Sequence, residues 1–195
     1  MHQPITYDHG VTETKWLNNE ESRAWRALQH LNMPLSAALN RQLSRDSNLS
    51  NADYAVLVQL SEAPEQQLRA RDLVQAIGWE KSRLSHHIRR MESRSLVSRE
   101  ECPTDGRGAF IKLTDTGRAA IVQAAPGHVN AVRSYFIDLL TPNQLVAFAE
   151  IAEAVGARLK ADGCAEIEAA GATDDPCRSD RIRAASIPAG DFQTG

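Results

Sequence analysis

Apolar residues recur at helical spacing in a long stretch near the start of the chain, from residue 15 to about residue 45. The apolar positions are Trp16, Leu17, Trp25, Leu28, Leu31, Leu35, Leu39 and Leu43. This spacing predicts a long first helix, which Thr12 or Thr14 leads into. Pro34 lies inside the stretch, and a proline removes a helical hydrogen bond and clashes with the preceding turn. We therefore expect the helix to kink or break at Pro34.

Helical spacing returns towards the end of the chain, in two stretches between residues 115 and 160. Pro126 and Gly127 interrupt the first stretch, so we expect a bend there. Thr141 followed by Pro142 is a cap with a first-position proline, which predicts the start of a last helix. These stretches and the first helix carry apolar stripes that an intertwined homodimer would bury. The expected dimerisation helices are about residues 15–45 and 126–160.

Shorter elements fill residues 50–115, between the long helices. Ser50 and Asp53 have the spacing of a capping box, which predicts that a helix starts there. The elements that follow are a helix end near residues 63–64, a strand candidate at 66–70, a helix at 71–77 and a turn at Gly78. The strand candidate is expected to join the two strands that come later in the chain. The helix and the turn predict the first half of a helix-turn-helix, with Trp79 packed into its core.

Residues 78–96 have two opposite faces. Leu84, Ile88 and Met91 recur at helical spacing and give an apolar face that can be buried. The residues on the opposite face are Arg83, Ser85, His86, Arg89 and Arg90. Such donors suit phosphates and guanine edges in a DNA major groove. Ser82 lies where the helix is expected to start, so its hydroxyl is a candidate helix cap or phosphate contact. The alternative interpretation is the solvated basic face of an ordinary surface helix.

Two strand-like runs follow this helix, at residues 96–100 and 109–113. The segment between them is rich in turn-forming residues and carries Arg107 near its tip. A basic helix followed by a hairpin with an arginine at the tip is the arrangement of a winged helix-turn-helix. The predicted fold is therefore mainly α with a small β-wing: a winged helix-turn-helix lobe at about residues 50–115 plus a long-helix dimerisation region.

Three short motifs lie in and after the predicted wing: Leu96-Val97-x-Arg99, Asp105-x-Arg107 and Leu113-Thr114-x-x-Gly117. Their order and spacing resemble the MarR family of transcription regulators, and the layout agrees over about residues 20–160. The resemblance implies a dimer of winged-helix subunits that controls genes and that a small ligand or an oxidant releases. It also implies that Arg107 enters the minor groove and that Asp105 supports it. The family usually has glycine where this chain has Ser95, so Ser95 departs from the left-handed cap expected there.

The net charge of −3 over 195 residues hides an uneven distribution. Residues 69–112 hold ten Lys/Arg against six Asp/Glu and carry +4, so the remainder carries −7. A basic segment at the DNA-binding motif is the electrostatic pattern of a nucleic-acid-binding protein. Residues 1–14 are expected to be flexible and residues 161–195 to form a disordered acidic tail. The lack of a leader pattern and of a long apolar run predicts a cytoplasmic protein.

A two-fold dimer places its recognition helices in successive major grooves, which predicts a pseudo-palindromic operator in double-stranded DNA. The residues expected to read bases are Arg83, Ser85, His86 and Arg89. The residues expected to contact phosphates are Lys81, Ser82, Arg90 and Thr104. Arg94 is expected either to hold an internal carboxylate such as Asp105 or to touch DNA, and His87 to be a half-buried packing residue.

Control by a small aromatic ligand follows from the resemblance, with Trp16, Trp25, Arg26 and His30 as candidate contacts between the dimer helices and the lobe. No cofactor or metal is expected, because the six histidines and three cysteines lack ligand-like spacing. The leading hypothesis is a dimeric DNA-binding transcription regulator that acts as a ligand-released repressor. The alternative is a winged-helix protein-interaction module that does not read DNA. An enzyme ranks last, since the sequence has no phosphate loop, nucleophile elbow or metal-ligand cluster.

Overall fold

The structure is a computed structural model that describes residues 14–102 and 105–169, without the side chains of residues 101–108, 160 and 162–169. The helices are α1 (Asn19–Ser47), α2 (Asn51–Glu62), α3 (Ala70–Ile77), α4 (Lys81–Ser93), α5 (Asp115–Tyr135) and α6 (Pro142–Ala169). The strands are β1 (Gln67–Arg69), β2 (Val97–Cys102) and β3 (Asp105–Leu113), and single 3₁₀ turns lie at Pro64–Gln66 and Ile137–Leu139. The predicted class, mainly α with a small β-wing, is confirmed.

Helix α1 starts later than expected and does not break. The Asn18 side chain accepts a hydrogen bond from the Glu21 amide, and the Glu21 carboxylate accepts one from the Asn18 amide, so a capping box fixes the start at Asn19. The helix then continues through Pro34 to Ser47, so of the two outcomes predicted there the break is wrong, and the kink stays a prediction. Pro34 and His30 are both exposed. Water can therefore bind the His30 carbonyl that the proline leaves without its amide partner.

The lobe between α2 and β3 closes around an apolar core. Ser50 caps α2 and forms the predicted capping box with Asp53. The largest fully buried side chains are Leu43, Leu49, Val56, Leu57, Leu60, Leu73, Ile88, Met91 and Ile111. The sheet is antiparallel with the order β1-β3-β2, so the predicted third strand is confirmed. Ile111 of the central strand lies opposite Leu68 on β1 and Arg99 on β2.

The C-terminal end of α4 forms the left-handed cap from which Ser95 seemed to depart. Ser95 has a φ of 56°, and its amide donates to the Glu92 carbonyl at 2.9 Å. The Leu96 amide donates to the Met91 carbonyl at 3.0 Å, which completes a Schellman motif. A non-glycine residue in this conformation costs about 1 kcal/mol. The cap therefore exists at Ser95, with some backbone strain.

The junction between β3 and α5 explains the third sequence motif. The Thr114 hydroxyl lies 2.6 Å from the Ser95 carbonyl, to which it donates, and it accepts from the Gly117 amide at 3.0 Å. A Cβ on Gly117 would lie 2.0 Å from the Leu96 carbonyl oxygen. Only glycine allows this close approach. Thr114 and Gly117 thus fasten the start of α5 to the end of α4.

Helix α5 runs through Pro126 and Gly127 without interruption. A Cβ on Gly127 would lie 3.2 Å from Nε2 of Gln42, so the backbone of α5 lies close to α1 at this position. The described residues from 14 to 139 form one compact unit, and α6 belongs to a second unit.

Helix α6 starts where Thr141 and Pro142 predicted, with Thr141 and Gln144 capping each other. It continues to Ala169, so the first part of the expected tail, residues 161–169, is helical. The expected flexible residues 1–13 and the tail residues 170–195 lie outside the described residues. No helix in the part of the chain that the structure describes is long and apolar enough to cross a membrane.

Candidate nucleic-acid interface

The N-terminal end of α4 is open. The helix begins at Lys81 after Glu80, and no side chain caps it. Ser82 is therefore the second helical residue, and its expected role as the N-cap is wrong because the Glu80 backbone occupies the cap position. The amides of the first turn have no partners within a helix, and the helix dipole makes this end positive. The end of α4 has the electrostatic character of an anion site.

The two faces of α4 are as the sequence predicted. Leu84, Ile88 and Met91 are buried. The exposed residues among the predicted DNA contacts are Lys81, Ser82, Arg83, His86, Arg89 and Arg90, and Ser85 is half-buried. The structure thus places seven predicted contacts on one helix, six of them on its exposed surface.

The wing residues are described in part. β3 begins at Asp105, and the backbones of Asp105 and Arg107 both lie in that strand. Thr104 lies outside the described residues, and so do the side chains of Asp105 and Arg107. The positions of these side chains remain predictions from the sequence.

Trp79, just before α4, packs against the core as the sequence predicted. The ring is half-buried and packs against the apolar core. The guanidinium carbon of Arg83 lies 4.5 Å from the ring centroid, a cation–π contact. On its other side, Trp79 meets His87 edge-on, with 5.3 Å between ring centroids. Trp79 thus links an exposed arginine to a buried histidine.

A buried carboxylate, Asp53, connects α2 to the other end of α4. It is 4% exposed and accepts hydrogen bonds from the Ser50 amide and from Nη1 of Arg94, both at 2.8 Å. Arg94 also donates to the Asn48 carbonyl. Arg94 therefore holds an internal carboxylate, which was one of its two expected roles, but the partner is Asp53 and not Asp105. The pairing spans 41 positions of sequence. The local capping signal marked Asp53 but could not show this partner.

His87 is more deeply buried than expected, at 5% exposure, and packs inside the lobe. Its Nδ1 lies 2.9 Å from Nη2 of Arg90, and a guanidinium only donates, so Nδ1 accepts. The ring proton of neutral His87 is then on Nε2. Nε2 lies 3.1 Å from Oδ1 of Asp53, a contact at an angle short of a regular hydrogen bond. Burial alone would raise the pKa of Asp53, but the contacts from His87, Ser50 and Arg94 outweigh it and hold the pKa well below its usual value.

A cleft of about 760 Å³ lies between α1, α2 and the start of α4. Its lining residues are Asn32, Met33, Ser36, Ala37, Asn40, Ser50, Asn51, Ala52, Ala55, Ile77, Trp79 and Arg83. The four expected ligand contacts, Trp16, Trp25, Arg26 and His30, are not among them. All four are exposed and precede the part of α1 that lines the cleft. The sequence missed the cleft because its lining comes from separate elements that only the fold brings together.

The helix-turn-helix of α3, Gly78 and α4, with the β2–β3 hairpin after it, is a winged helix-turn-helix, the arrangement that many DNA-binding transcription regulators use. A model of the MarR family matches residues 47–108. The transcriptional regulator HosA of Escherichia coli O111:H- is 30% identical over 105 residues, which cover 54% of this chain and 74% of HosA. The chain belongs to the MarR family, whose members are regulators and not enzymes.

Solved structures similar to the chain include the following two. Sco3205, a MarR family transcriptional regulator from Streptomyces coelicolor crystallised in complex with DNA, is 40% identical with a TM-score of 0.71. That match covers 73% of this chain and 90% of Sco3205. The second is BpsR of Bordetella bronchiseptica, a protein whose binding to DNA is regulated by 6-hydroxynicotinic acid. It is 23% identical to this chain, with a TM-score of 0.61. It covers 69% of this chain and 98% of BpsR, and it shares the fold.

Proposed function

We propose that this regulator is a cytoplasmic homodimer that represses genes by binding a pseudo-palindromic operator, and that a small ligand releases it. The observation that carries the proposal is the open N-terminal end of α4, with its exposed basic face and uncapped first turn. The 40% identity to Sco3205, which has been crystallised with DNA, supports the same interface here.

The proposed DNA contacts on α4 fall into two groups, phosphate contacts and base contacts. Lys81, Ser82 and the first-turn amides suit phosphates, because they combine positive charge with the helix dipole. Arg83, His86 and Arg89 suit base edges, and Ser85 contributes less because it is half-buried. Arg90 is held by His87 and suits a phosphate. These assignments make α4 the recognition helix.

The wing completes the interface in this proposal. Arg107 enters the minor groove, where negative potential attracts arginine, and Asp105 supports it. Thr104, which lies between β2 and β3 in the sequence, adds a phosphate contact. Arg107→Ala is expected to weaken operator binding without changing stability, and equal operator affinity in the variant and the wild type would remove the minor-groove assignment.

The exposed apolar surface of α1 and of α6 supports the homodimer. On α1 and just before it, the exposed large apolar residues are Trp16, Leu17, Trp25, Leu28, Leu31 and Met33. On α6 they are Val146, Phe148, Ile151, Val155 and Leu159. Apolar surface of this extent on a helix is characteristic of an interface. A two-fold axis would also present two copies of α4 to one operator.

The cleft beside α4 supports control by a ligand. Its volume of about 760 Å³ lies within the range of about 300–1,000 Å³ for small-molecule sites. BpsR, which has the same fold, is regulated by a small aromatic acid. The cleft residues, and not Trp16, Trp25, Arg26 and His30, are the contacts in this proposal.

The test selects a preferred duplex from a random pool with the purified protein and measures its affinity beside a scrambled duplex by fluorescence anisotropy. We expect tight binding to the selected duplex only. A plot of log affinity against log salt concentration should fall with a slope of about 0.9 for each phosphate that the protein neutralises. Equal, weak binding to both duplexes would favour the alternative, a winged-helix module that binds protein. Analytical ultracentrifugation checks the homodimer.

A further inference from the structure

Arg83 belongs to two surfaces at once. It is exposed on the face of α4 that carries the predicted base readers, and it also lines the cleft between α1, α2 and α4. Its guanidinium lies over the face of Trp79, which lines the same cleft. The N–H groups of an arginine lie in the plane of the guanidinium. When the guanidinium lies over an aromatic ring, these groups can still donate hydrogen bonds to another partner.

Arg83 is also the charged group that the cleft offers. Among the described residues that line the cleft, all the others are apolar or neutral and polar. Of the other arginines on and just after α4, Arg94 pairs with Asp53 and Arg90 with His87, and Arg89 does not line the cleft. Within the described part of the chain, Arg83 makes no ion pair with a carboxylate. A cleft with one available cation and a half-buried aromatic wall fits an organic anion with a flat apolar body.

We propose that Arg83 is shared between the cleft and the operator: an organic anion bound in the cleft pairs with the guanidinium that otherwise reads a base. This rests on the proposed function, in which Arg83 is a base reader and the cleft holds the ligand. Both partners need the same N–H groups, so each lowers the affinity for the other by the same factor. The ligand then removes discrimination at one base pair, while the phosphate contacts from Lys81, Ser82 and the first-turn amides persist.

The cleft half of the proposal is tested by calorimetry without DNA. The probes are 2-naphthoate and 2-naphthamide, which have nearly the same shape and differ in charge. The wild type is expected to bind the acid about tenfold or more tightly than the amide, because only the carboxylate can form a bidentate ion pair with the guanidinium. In the Arg83→Gln variant, the affinity for the acid is expected to fall to the affinity for the amide. Arg89→Gln, the same change on the same exposed face but outside the cleft, is expected to keep the preference.

The calorimetry overturns the proposal in either of two results. The wild type binds the acid no better than the amide, or not at all at 2-naphthoate concentrations up to its solubility limit. Alternatively, Arg83→Gln keeps the preference for the acid. Arg83 is exposed, and glutamine forms helices about as well as arginine, so the variant is expected to fold.

The operator half uses single base-pair variants of the selected duplex. Arg83→Gln identifies the base pair whose discrimination depends on Arg83. Saturating 2-naphthoate is expected to remove discrimination at that same pair in the wild type and to leave the other pairs unchanged. A uniform loss of affinity at every pair overturns the proposal, since it would mean that the ligand acts on the dimer geometry and not on Arg83.

The two failures are distinguishable. A wild type that prefers no duplex from the random pool contradicts the proposed function, whatever the calorimetry shows. A wild type that reads its operator but shows no acid preference in the cleft contradicts only the sharing of Arg83.

Discussion

The two ends of helix α4 differ in how they are held. At the C-terminal end, the Schellman motif at Ser95 and the Arg94–Asp53 pair fix the backbone to the rest of the lobe. At the N-terminal end, the first turn has no side-chain cap, and Arg83 lies over Trp79 beside an open cleft. We therefore expect the C-terminal end of α4 to contribute most to stability and, in the proposed function, the N-terminal end to bind DNA. Variants at the two ends are therefore expected to separate folding from recognition.

The largest expected effect is at the closed end. Asp53→Ala removes the partner of Arg94 and His87 and is expected to lower the free energy of unfolding by about 3 kcal/mol. This is the low end for a buried pair, since the Arg94 side chain is 37% exposed and water replaces part of the interaction. Urea denaturation measures the loss. Glu21→Ala is the matched control, because Glu21 has the same capping-box position in an exposed helix and should cost less than about 1 kcal/mol.

Acid should weaken the contribution of Asp53. Its folded pKa is held below the ordinary unfolded value of about 3.9, so its stabilisation is fully present above that pH. The stabilisation is lost as the pH falls towards the folded pKa. The difference in stability between the wild type and Asp53→Asn should therefore narrow below about pH 4. A constant difference from pH 6 to pH 3 would show that Asp53 does not act as a charge.

The next effect concerns the junction behind the closed end. Gly117→Ala places a methyl group 2.0 Å from the Leu96 carbonyl oxygen and is expected to cost about 2–3 kcal/mol as the strand end and α5 move apart. Gly156→Ala is the control, since a Cβ there meets nothing within 4 Å and a helical alanine should be neutral or stabilising. Thermal unfolding of both variants distinguishes a clash from a general effect of replacing glycine. Equal stability of the two variants would contradict the close approach.

The open end should give the opposite pattern. Arg83→Gln is expected to change the free energy of unfolding by less than about 0.5 kcal/mol, because the side chain is exposed. The same change should reduce discrimination at one operator base pair by about 1–3 kcal/mol. Anisotropy with single base-pair variants measures this loss. A similar loss with every duplex, specific or scrambled, would make Arg83 a phosphate contact.

The smallest effect is a gain in stability. Ser95→Gly relieves the left-handed backbone at φ 56° and is expected to stabilise the fold by about 1 kcal/mol. Ser93→Gly, two positions earlier in regular helix, should instead destabilise it by about 0.5 kcal/mol. Opposite signs at the two serines would locate the strain at the cap. A loss in Ser95→Gly would show that the Ser95 side chain stabilises the cap more than its backbone strains it.

Much of the fold was predictable because its signals are local. The two faces of α4, the Ser50–Asp53 capping box and the short strand β1 each follow from residues within a few positions of one another. A break, one of the two outcomes predicted at Pro34, does not occur, since an exposed carbonyl can bind water and the rest of a long helix compensates for one lost bond. Sequence rules give the conformational preference of each residue, whereas at Pro34 the hydrogen bonds of the surrounding helix keep α1 continuous.

The candidate site was predictable on the helix and not beyond it. The exposed residues of α4 follow from its periodicity, which assigns them to the face opposite Leu84, Ile88 and Met91. The Asp53–Arg94 pair joins residues 41 positions apart, and the cleft assembles residues from α1, α2 and the start of α4. The spacing of residues within one helix or strand cannot predict contacts between different elements. The predicted ligand residues were chosen along α1 alone, so they do not coincide with the lining of this cleft, and their role as ligand contacts stays a prediction.

The most direct test of the difference between the two ends is amide hydrogen exchange of the full chain, with and without the selected duplex. We expect slower exchange on DNA binding in the first turn of α4, at residues 81–83, whose amides have no helical partners in the free protein. Exchange at residues 91–96 should change little, because hydrogen bonds already protect the amides of Ser95 and Leu96. Tight, sequence-specific binding that leaves the first turn unprotected would contradict the assignment of the open end of α4 as the DNA-reading surface.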